Sequence, residues 1–243
     1  MIAVFGDVYV SFGKKDGQLY EKKVDGYGYS VVSKLAEKTE LPFFFTALGS
    51  DSLKTFVLES LVEKRIMFDP DLSMMSLYTA HKIDDDEFFS SSALFSISEE
   101  ALSASVNMNT DINMVHISPL ILSRESSSSS VVDSISFISP SPFIVSDVFG
   151  SLNEKATRAF SSLSMLPGLV IADEENYEKT YKDEKNRPVL SLDGKSMILF
   201  YQGKEKRYEA GKSREDIVSS LMAALDRINL DLSKLEEILE TIG

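Results

Sequence analysis

Short apolar runs alternate with helix-period segments along most of this chain, and that alternation constrains its fold more than any other feature. Several runs are apolar throughout, which is typical of parallel strands covered on both faces. Strand-length runs lie at 2–5, 43–47, 114–117, 143–147, 169–172, 189–192 and 197–201. Helical spacing recurs near 29–39, 51–64, 153–164, 213–228 and 233–241. The order predicts an α/β protein with a mostly parallel sheet and right-handed crossovers.

Two stretches depart from this order and predict a small second sheet. Residues 9–23 alternate in character around Asp16-Gly17, a dipeptide that favours a hairpin turn. Residues 77–96 predict a second antiparallel excursion that turns at the acidic segment 84–87. We expect lid elements at about 8–25 and 77–96, inserted in one domain that spans residues 1–243.

The serine run at 126–130 is a low-complexity segment that could be taken for a linker. Apolar residues follow it at once, among them Val131, Val132 and Ile135. A serine-rich helix or loop within one continuous domain is therefore the expectation.

The charge balance bears on which partners are possible. The formal net charge is −13, a sign that repels nucleic-acid backbones and anionic lipid surfaces. No run reaches the roughly 18 apolar residues of a membrane span. Met1 opens into a strand-like run without the basic and apolar regions of a signal peptide. We expect a cytoplasmic protein with no nucleic-acid partner and no membrane partner.

The cysteine and histidine counts restrict the chemistry. The chain has no cysteine, which removes disulfides, cysteine-based zinc sites and thiol nucleophiles. With only His81 and His116, a three-histidine metal site is excluded. The expectation for His116 is a satisfied core histidine. Any chemistry would use carboxylates, hydroxyls, lysine, arginine or backbone amides.

The triplet Gly211-Lys212-Ser213 matches the end of a phosphate-binding P-loop, but the rest of that motif is absent. A P-loop has an earlier glycine five residues before this triplet, and here that position is Lys206. Ser213 and Asp216 instead form a capping box that opens an amphipathic helix. A helix N-terminus attracts anions, and Lys212 and Arg214 beside it would strengthen that attraction.

The motifs occur in an order that resembles the ribokinase-like (PfkB-type) carbohydrate kinases along almost the whole chain. The first strand ends in Gly6-Asp7, and DGYGYS at 25–30 takes the place of the Gly-Gly-x-x-x-Asn motif. The segment at 43–69 is similar to the family's next signature through Gly49 and Asp51. Residues 209–216 stand where the family keeps Gly-Ala-Gly-Asp. The resemblance implies a three-layer αβα sandwich with a mostly parallel central sheet and a small β lid.

The resemblance also implies ATP-dependent phosphoryl transfer to a hydroxyl of a sugar or nucleoside, with Mg²⁺. Carried over without a gap, it makes Glu215 the general base, and Asp216 takes that role if the register slips by one. Phosphate would be bound by Gly211, Lys212, Ser213 and Arg214. The implied substrate residues are Asp7, Ser11, Gly26, Ser30 and Thr79. The implied cofactor residues are Asp173 and Ser191, with Glu175 as the metal ligand.

Departures from the family pattern favour a second hypothesis, a non-catalytic protein that keeps the fold for ligand binding or dimerisation. Lys212-Ser213-Arg214 replaces three small residues, and Ser11 and Ser30 replace a carboxylate and an amide. The tail after Asp216 is also short. The lid would offer a strand edge for a homodimer. An unrelated doubly wound enzyme is a residual alternative, although no dinucleotide-type glycine motif follows the first strand.

Asp147 leaves two alternatives open from sequence alone. It ends a strand, where ligands collect in open α/β sheets. A solvated loop carboxylate fits the same pattern.

Overall fold

The computed structural model describes residues 1–16, 19–39, 41–70, 78–84, 99–109, 111–122, 125–150, 153–184 and 187–243. Within these ranges the chain forms two sheets. The strands of the larger sheet are β1 (Ile2–Phe5), β4 (Phe43–Phe45), β5 (Met67–Phe68), β7 (Met114–Ile117), β8 (Phe143–Val148), β9 (Gly168–Ala172), β10 (Val189–Leu192), β11 (Ser196–Tyr201) and β12 (Lys204–Glu209). The smaller sheet contains β2 (Tyr9–Asp16), β3 (Leu19–Asp25) and β6 (His81–Ile83).

The larger sheet has the order β12-β11-β10-β9-β8-β7-β1-β4-β5. The strands from β5 to β10 in this order all pair in parallel, and β11 and β12 extend the sheet antiparallel. The carboxyl ends of the parallel strands therefore lie at one edge, where ligands bind in open α/β sheets.

The smaller sheet stands directly after β1. Strands β2 and β3 form an antiparallel hairpin, and β6 pairs with β2 in parallel. The expected lid hairpin is thus confirmed, and β6, from the predicted 77–96 excursion, joins the same sheet by pairing in parallel with β2. Of the predicted turn at 84–87 only Asp84 is described, and most of the 77–96 excursion lies outside the described residues.

Helices cover both faces of the large sheet. They are α1 (Tyr27–Ala36), α2 (Ser52–Glu63), α3 (Glu99–Met108), α4 (Pro119–Leu122), α5 (Glu125–Ser136), α6 (Glu154–Leu163), α7 (Glu174–Asn176), α8 (Arg214–Arg227) and α9 (Leu235–Ile242). A π-helical turn (Tyr177–Tyr181) and a 3₁₀ turn (Leu232–Lys234) complete them. None of the helices in the described ranges has the length and apolar character needed to cross a bilayer.

Two apolar cores separate the three layers because successive strand residues point to opposite faces. Ile2 and Val4 pack with α1, α2, α8 and α9, whereas Ala3 and Phe5 pack with α3, α5 and α6. The predicted αβα sandwich is confirmed.

The sequence-based predictions reproduce most elements to within three residues. The serine-rich segment is a helix, α5, within the domain. No sequence pattern predicted α3 or β12. Strand β12 reads KEKRYE and is mostly exposed at the sheet edge, so the apolar pattern that identifies a strand is absent.

Helix α1 begins in direct contact with the end of β1. A Cβ built on Gly28 would lie 2.3 Å from the Cα of Gly6 and 2.5 Å from the amide nitrogen of Asp7. Gly26, the N-cap of α1, has φ 129°, a conformation that favours glycine. These two glycines therefore let the helix start touch the strand end.

Replacing Gly28 with alanine should destabilise the fold by about 1–3 kcal/mol, because the new methyl group meets backbone that has no room to move. This loss opposes the better helix propensity of alanine. Urea unfolding of the two proteins measures the difference. Gly13→Ala is the matched control, since a Cβ there meets nothing within 4 Å. A Gly28→Ala protein as stable as the Gly13→Ala protein would contradict the close approach.

Candidate functional site

Polar residues gather where the parallel strands end. Asp7 follows β1, Asp147 lies near the carboxyl end of β8, and α8 begins beside Asp147. We call the group Asp7, Tyr27, Asp147, Arg214 and Glu215 the strand-end site. The lid hairpin of β2 and β3 follows Asp7 in the chain, so the small sheet begins next to this site.

The carboxylate of Asp7 accepts hydrogen bonds from two backbone amides and one hydroxyl. Its side chain is 2% exposed, its Oδ1 accepts from the Gly28 amide at 2.9 Å, and its Oδ2 accepts from the Tyr27 amide at 2.9 Å. The Ser118 hydroxyl also donates to Oδ1, at 3.0 Å. These contacts cap α1, and the substrate-binding role of Asp7 stays a prediction.

The other predicted substrate residues lie around the base of the lid. Ser11 is half-buried in β2 and donates to Oδ2 of Asp25 at 3.5 Å. Ser30 lies half-buried in the first turn of α1, four residues after Gly26. Burial and the charges of Asp25 and Asp7 raise the pKa of Tyr9 to about 12. The lid base is thus acidic and rich in hydroxyl groups.

Thr79 is fully buried at the approach to β6. Its hydroxyl accepts from the Gly49 amide at 3.1 Å, and its own amide donates to Asp51 Oδ2 at 3.1 Å. A Cβ on Gly49 would lie 2.0 Å from this same amide. The Gly49 and Asp51 motif therefore anchors the strand that carries Thr79.

The start of α8 is capped as the sequence predicts. Ser213 is the N-cap, and its hydroxyl accepts from the Asp216 amide. The Asp216 carboxylate receives a hydrogen bond from Lys34 Nζ of α1 at 2.6 Å. The bond from Lys34 holds the pKa of Asp216 below its ordinary value. Asp216 is consequently occupied by a helix-to-helix ion pair.

Glu215 differs from its neighbours. It is half-buried, and its carboxylate has no hydrogen bond or ion pair with any residue in the described ranges. Its charge contributes to the raised pKa of Tyr27, behind burial and the charge of Asp147. The Glu215 carboxylate is therefore close enough to the Tyr27 hydroxyl to interact with it electrostatically.

The two cations near this helix start are both engaged. Lys212 is exposed and donates to the Ile242 carbonyl at 2.8 Å. Arg214 turns inward and donates to Asp147 Oδ1 from Nε at 3.0 Å and from Nη2 at 2.6 Å. The backbone amides of Arg214 and Glu215 donate to no acceptor within the described part of the chain. Those amides are the groups that fit an anion here.

Asp147 is fully buried, so it is not the solvated loop carboxylate that the sequence left as an alternative. Burial opposes its ionisation, yet Arg214 and His116 hold its pKa below the ordinary value. The Tyr27 hydroxyl also donates to Asp147 Oδ2. Sequence analysis missed Tyr27, Lys34 and Phe149 as site residues.

The predicted cofactor residues lie at β9 and β10, the two strands that follow β8 in the sheet. Asp173 follows β9 and caps α7, accepting from the Asn176 amide at 2.8 Å and the Gly150 amide at 2.7 Å. Ser191 is buried in β10. Glu175 is exposed and paired with Lys179. No group of three acidic or histidine side chains in the described ranges is placed to hold a metal ion.

Solved structures of several kinases have the same fold as this chain. No family model matches the sequence, and no curated protein is significantly similar to it. The structure is similar to that of aminoimidazole riboside kinase from Salmonella enterica in complex with aminoimidazole riboside and an ATP analog. The TM-score is 0.77 at 14% identity, over 99% of this chain and 90% of that one.

Two further solved structures agree. Fructokinase from Xylella fastidiosa has a TM-score of 0.77 at 13% identity, over 99% of this chain and 89% of that one. A putative ribokinase II from E. coli in complex with ATP and Mg²⁺ has a TM-score of 0.75 at 10% identity, over 96% and 88%. Identities this low establish shared architecture. The chain therefore has the ribokinase-like α/β fold that these kinases share.

Proposed function

We propose that this protein transfers the γ-phosphoryl group of ATP to a hydroxyl of a sugar or nucleoside, with Glu215 as the general base. The observation that carries the proposal is the state of the charged residues at 212–216. Lys212, Arg214 and Asp216 are held by other parts of the protein, and Glu215 alone among them has no bonded partner in the described ranges. A general base accepts the proton of the acceptor hydroxyl, and a carboxylate with no other bonded partner is available to do so.

In this proposal Glu215 removes the proton from the substrate hydroxyl as its oxygen attacks the γ-phosphorus. The bond from that phosphorus to the β-phosphate oxygen breaks, and ADP leaves. The amides of Arg214 and Glu215 and the positive end of α8 stabilise the developing charge. Gly211, Lys212 and Ser213 line the approach to those amides.

The substrate would lie beneath the lid. Ser11, Ser30 and the backbone at Gly26 supply polar contacts to its hydroxyls, and Thr79 and Asp7 support that surface from below. Similarity to kinases solved with a riboside substrate and with ATP supports this assignment.

The nucleotide would lie towards β9 and β10, beside Asp173 and Ser191. Mg²⁺ would accompany ATP and neutralise its phosphates, with Glu175 as the predicted protein ligand. The Glu175 carboxylate is exposed, and the cation would replace its Lys179 partner.

The transfer should be slow for this fold. Three larger residues stand in place of Gly-Ala-Gly, and Arg214 pairs with Asp147 instead of facing an incoming phosphate. A bonded arginine contributes little charge to an anion because its partner carboxylate cancels it.

A second function, a non-catalytic dimeric or ligand-binding module, is favoured by the lid. Tyr20 and Leu19 are 53% and 65% exposed on β3. Phe12, Tyr20, Leu53, His81 and Ile83 line a pocket of about 390 Å³ on the lid. Within the described residues β3 and β6 form the two edges of the lid sheet, and this apolar face suits pairing with a second copy.

Glu215→Gln should lower the rate of ADP release by about 10²- to 10⁴-fold, because glutamine has no basic oxygen for the proton. The assay uses ATP, Mg²⁺ and a panel of sugars and nucleosides. Asp216→Asn is the comparison, since it weakens the contact with Lys34 and leaves Glu215 intact.

A larger loss in Asp216→Asn than in Glu215→Gln would move the base to Asp216. No ADP release by the unmodified protein across the panel, with no thermal shift on adding ATP, would reject the transferase function.

If the lid pairs two copies, light scattering should give twice the 27.0 kDa chain mass. The double variant Leu19→Lys/Tyr20→Lys should then be monomeric, because buried charges oppose an apolar contact. Met165→Lys is the control, since Met165 is 87% exposed and lies outside the lid. A monomeric unmodified protein would refute the lid dimer.

A further inference from the structure

A buried polar network joins β8, α1 and α8 at the strand-end site. Asp147 is 0% exposed, and both Nε and Nη2 of Arg214 donate to its Oδ1. Its Oδ2 accepts from the Tyr27 hydroxyl, and His116 Nε2 lies 3.5 Å away. One carboxylate therefore holds groups from two helices and a neighbouring strand.

The aromatic rings of the network restrict the guanidinium further. Arg214 lies over the Phe149 ring, with 4.8 Å between the guanidinium carbon and the ring centroid. The Tyr27 ring packs edge-on against the same ring, at 4.7 Å between centroids. Arg214 also donates weakly to the Val148 carbonyl, at 3.4 Å. A planar fork bonded along one edge and stacked on a ring has little freedom to turn.

A gain in the stability of the fold does not explain this network well. Buried ion pairs cost desolvation, and apolar side chains of similar size often stabilise a core as well or better. The location of the pair is more informative. Arg214 is the first residue of α8, and the adjacent residue is the proposed base, Glu215.

The first turn of α8 is tied to three different elements. Arg214 ties it to β8, Lys34 of α1 holds Asp216 and Ser213, and Lys212 reaches the Ile242 carbonyl of α9. Only the Arg214 contact is buried and bidentate. It is thus the contact that most restricts where residue 215 points.

We propose that Asp147 is a positioning residue, which holds the first turn of α8 through Arg214 and so directs the Glu215 carboxylate, with Tyr27 fixing the orientation of Asp147. The catalytic part of this inference rests on the proposed function. The structural part, an ordered helix start that depends on Asp147, stands independently of it.

Hydrogen exchange of Asp147→Asn tests the structural part. The variant keeps a hydrogen-bonding side chain but loses the charge that holds Arg214. Amides of residues 216–218 should exchange at least about tenfold faster than in the unmodified protein, while those of α6 are unchanged. The matched control is Glu184→Gln, which weakens the Arg187–Glu184 pair. The two side chains are 9% and 20% exposed, and the pair lies before β10, at the amino-terminal end of that strand.

Kinetics of the same variants test the catalytic part. A misdirected base should lower kcat by about 10²-fold while KM for ATP changes little. Asp147→Glu, which retains the charge, should recover part of that loss. Glu184→Gln should keep the unmodified kcat.

The double variant Asp147→Leu/Arg214→Met covers the case in which Asp147→Asn fails to fold, because it strands no buried charge. Its first turn should also exchange faster. Protection of 216–218 equal to that of the unmodified protein, in a folded Asp147→Asn or in the double variant, would overturn the proposal. Selective loss of that protection in a protein without transferase activity would support the structural part of the inference and reject the catalytic part together with the proposed function.

Discussion

The buried carboxylate of Asp7 is the interaction on which the arrangement of the site depends. A charge removed from water needs several donors, and Asp7 takes them from Gly28, Tyr27 and Ser118. Those donors belong to α1 and to the segment after β7, so one side chain aligns three parts of the structure. The alignment requires glycine at positions 6 and 28, where backbone meets backbone.

The position of α1 then determines the chemistry available at α8. Helix α1 carries Tyr27 to Asp147 and Lys34 to Asp216. The Lys34 contact engages the Asp216 carboxylate directly. The Tyr27 contact holds Asp147, which in turn engages the Arg214 guanidinium. The charge pattern that suggested an anion site in the sequence therefore acts mainly to anchor the helix, and the reactive part is reduced to Glu215 and two backbone amides.

Much of the architecture could be predicted because burial on both faces gives a strand a recognisable pattern. Strands β1 and β7 have the predicted bounds, and the Ser213 cap of α8 is where its motif indicates. Strand β12 could not be found this way, since an exposed edge strand is free to carry charged residues. The parallel pairing of β6 with β2 depends on chain paths that no local pattern records.

The site was less predictable than the fold. The residues around Glu215 could be named from a motif, but their roles depend on partners 30 to 182 positions away in the chain. Nothing local distinguishes an Arg214 that faces a phosphate from one that pairs with Asp147. Tyr27 and Phe149 look like ordinary core aromatics until the strands bring them together.

The sequence by itself determined the layered α/β architecture, the capped start of α8 and the acidic character of the chain, because each follows from residues close together or from composition. Only the tertiary structure decided which charges remain available. Ion pairing depends on distances between side chains from different elements, and those distances exist only after the sheet and its helices are assembled.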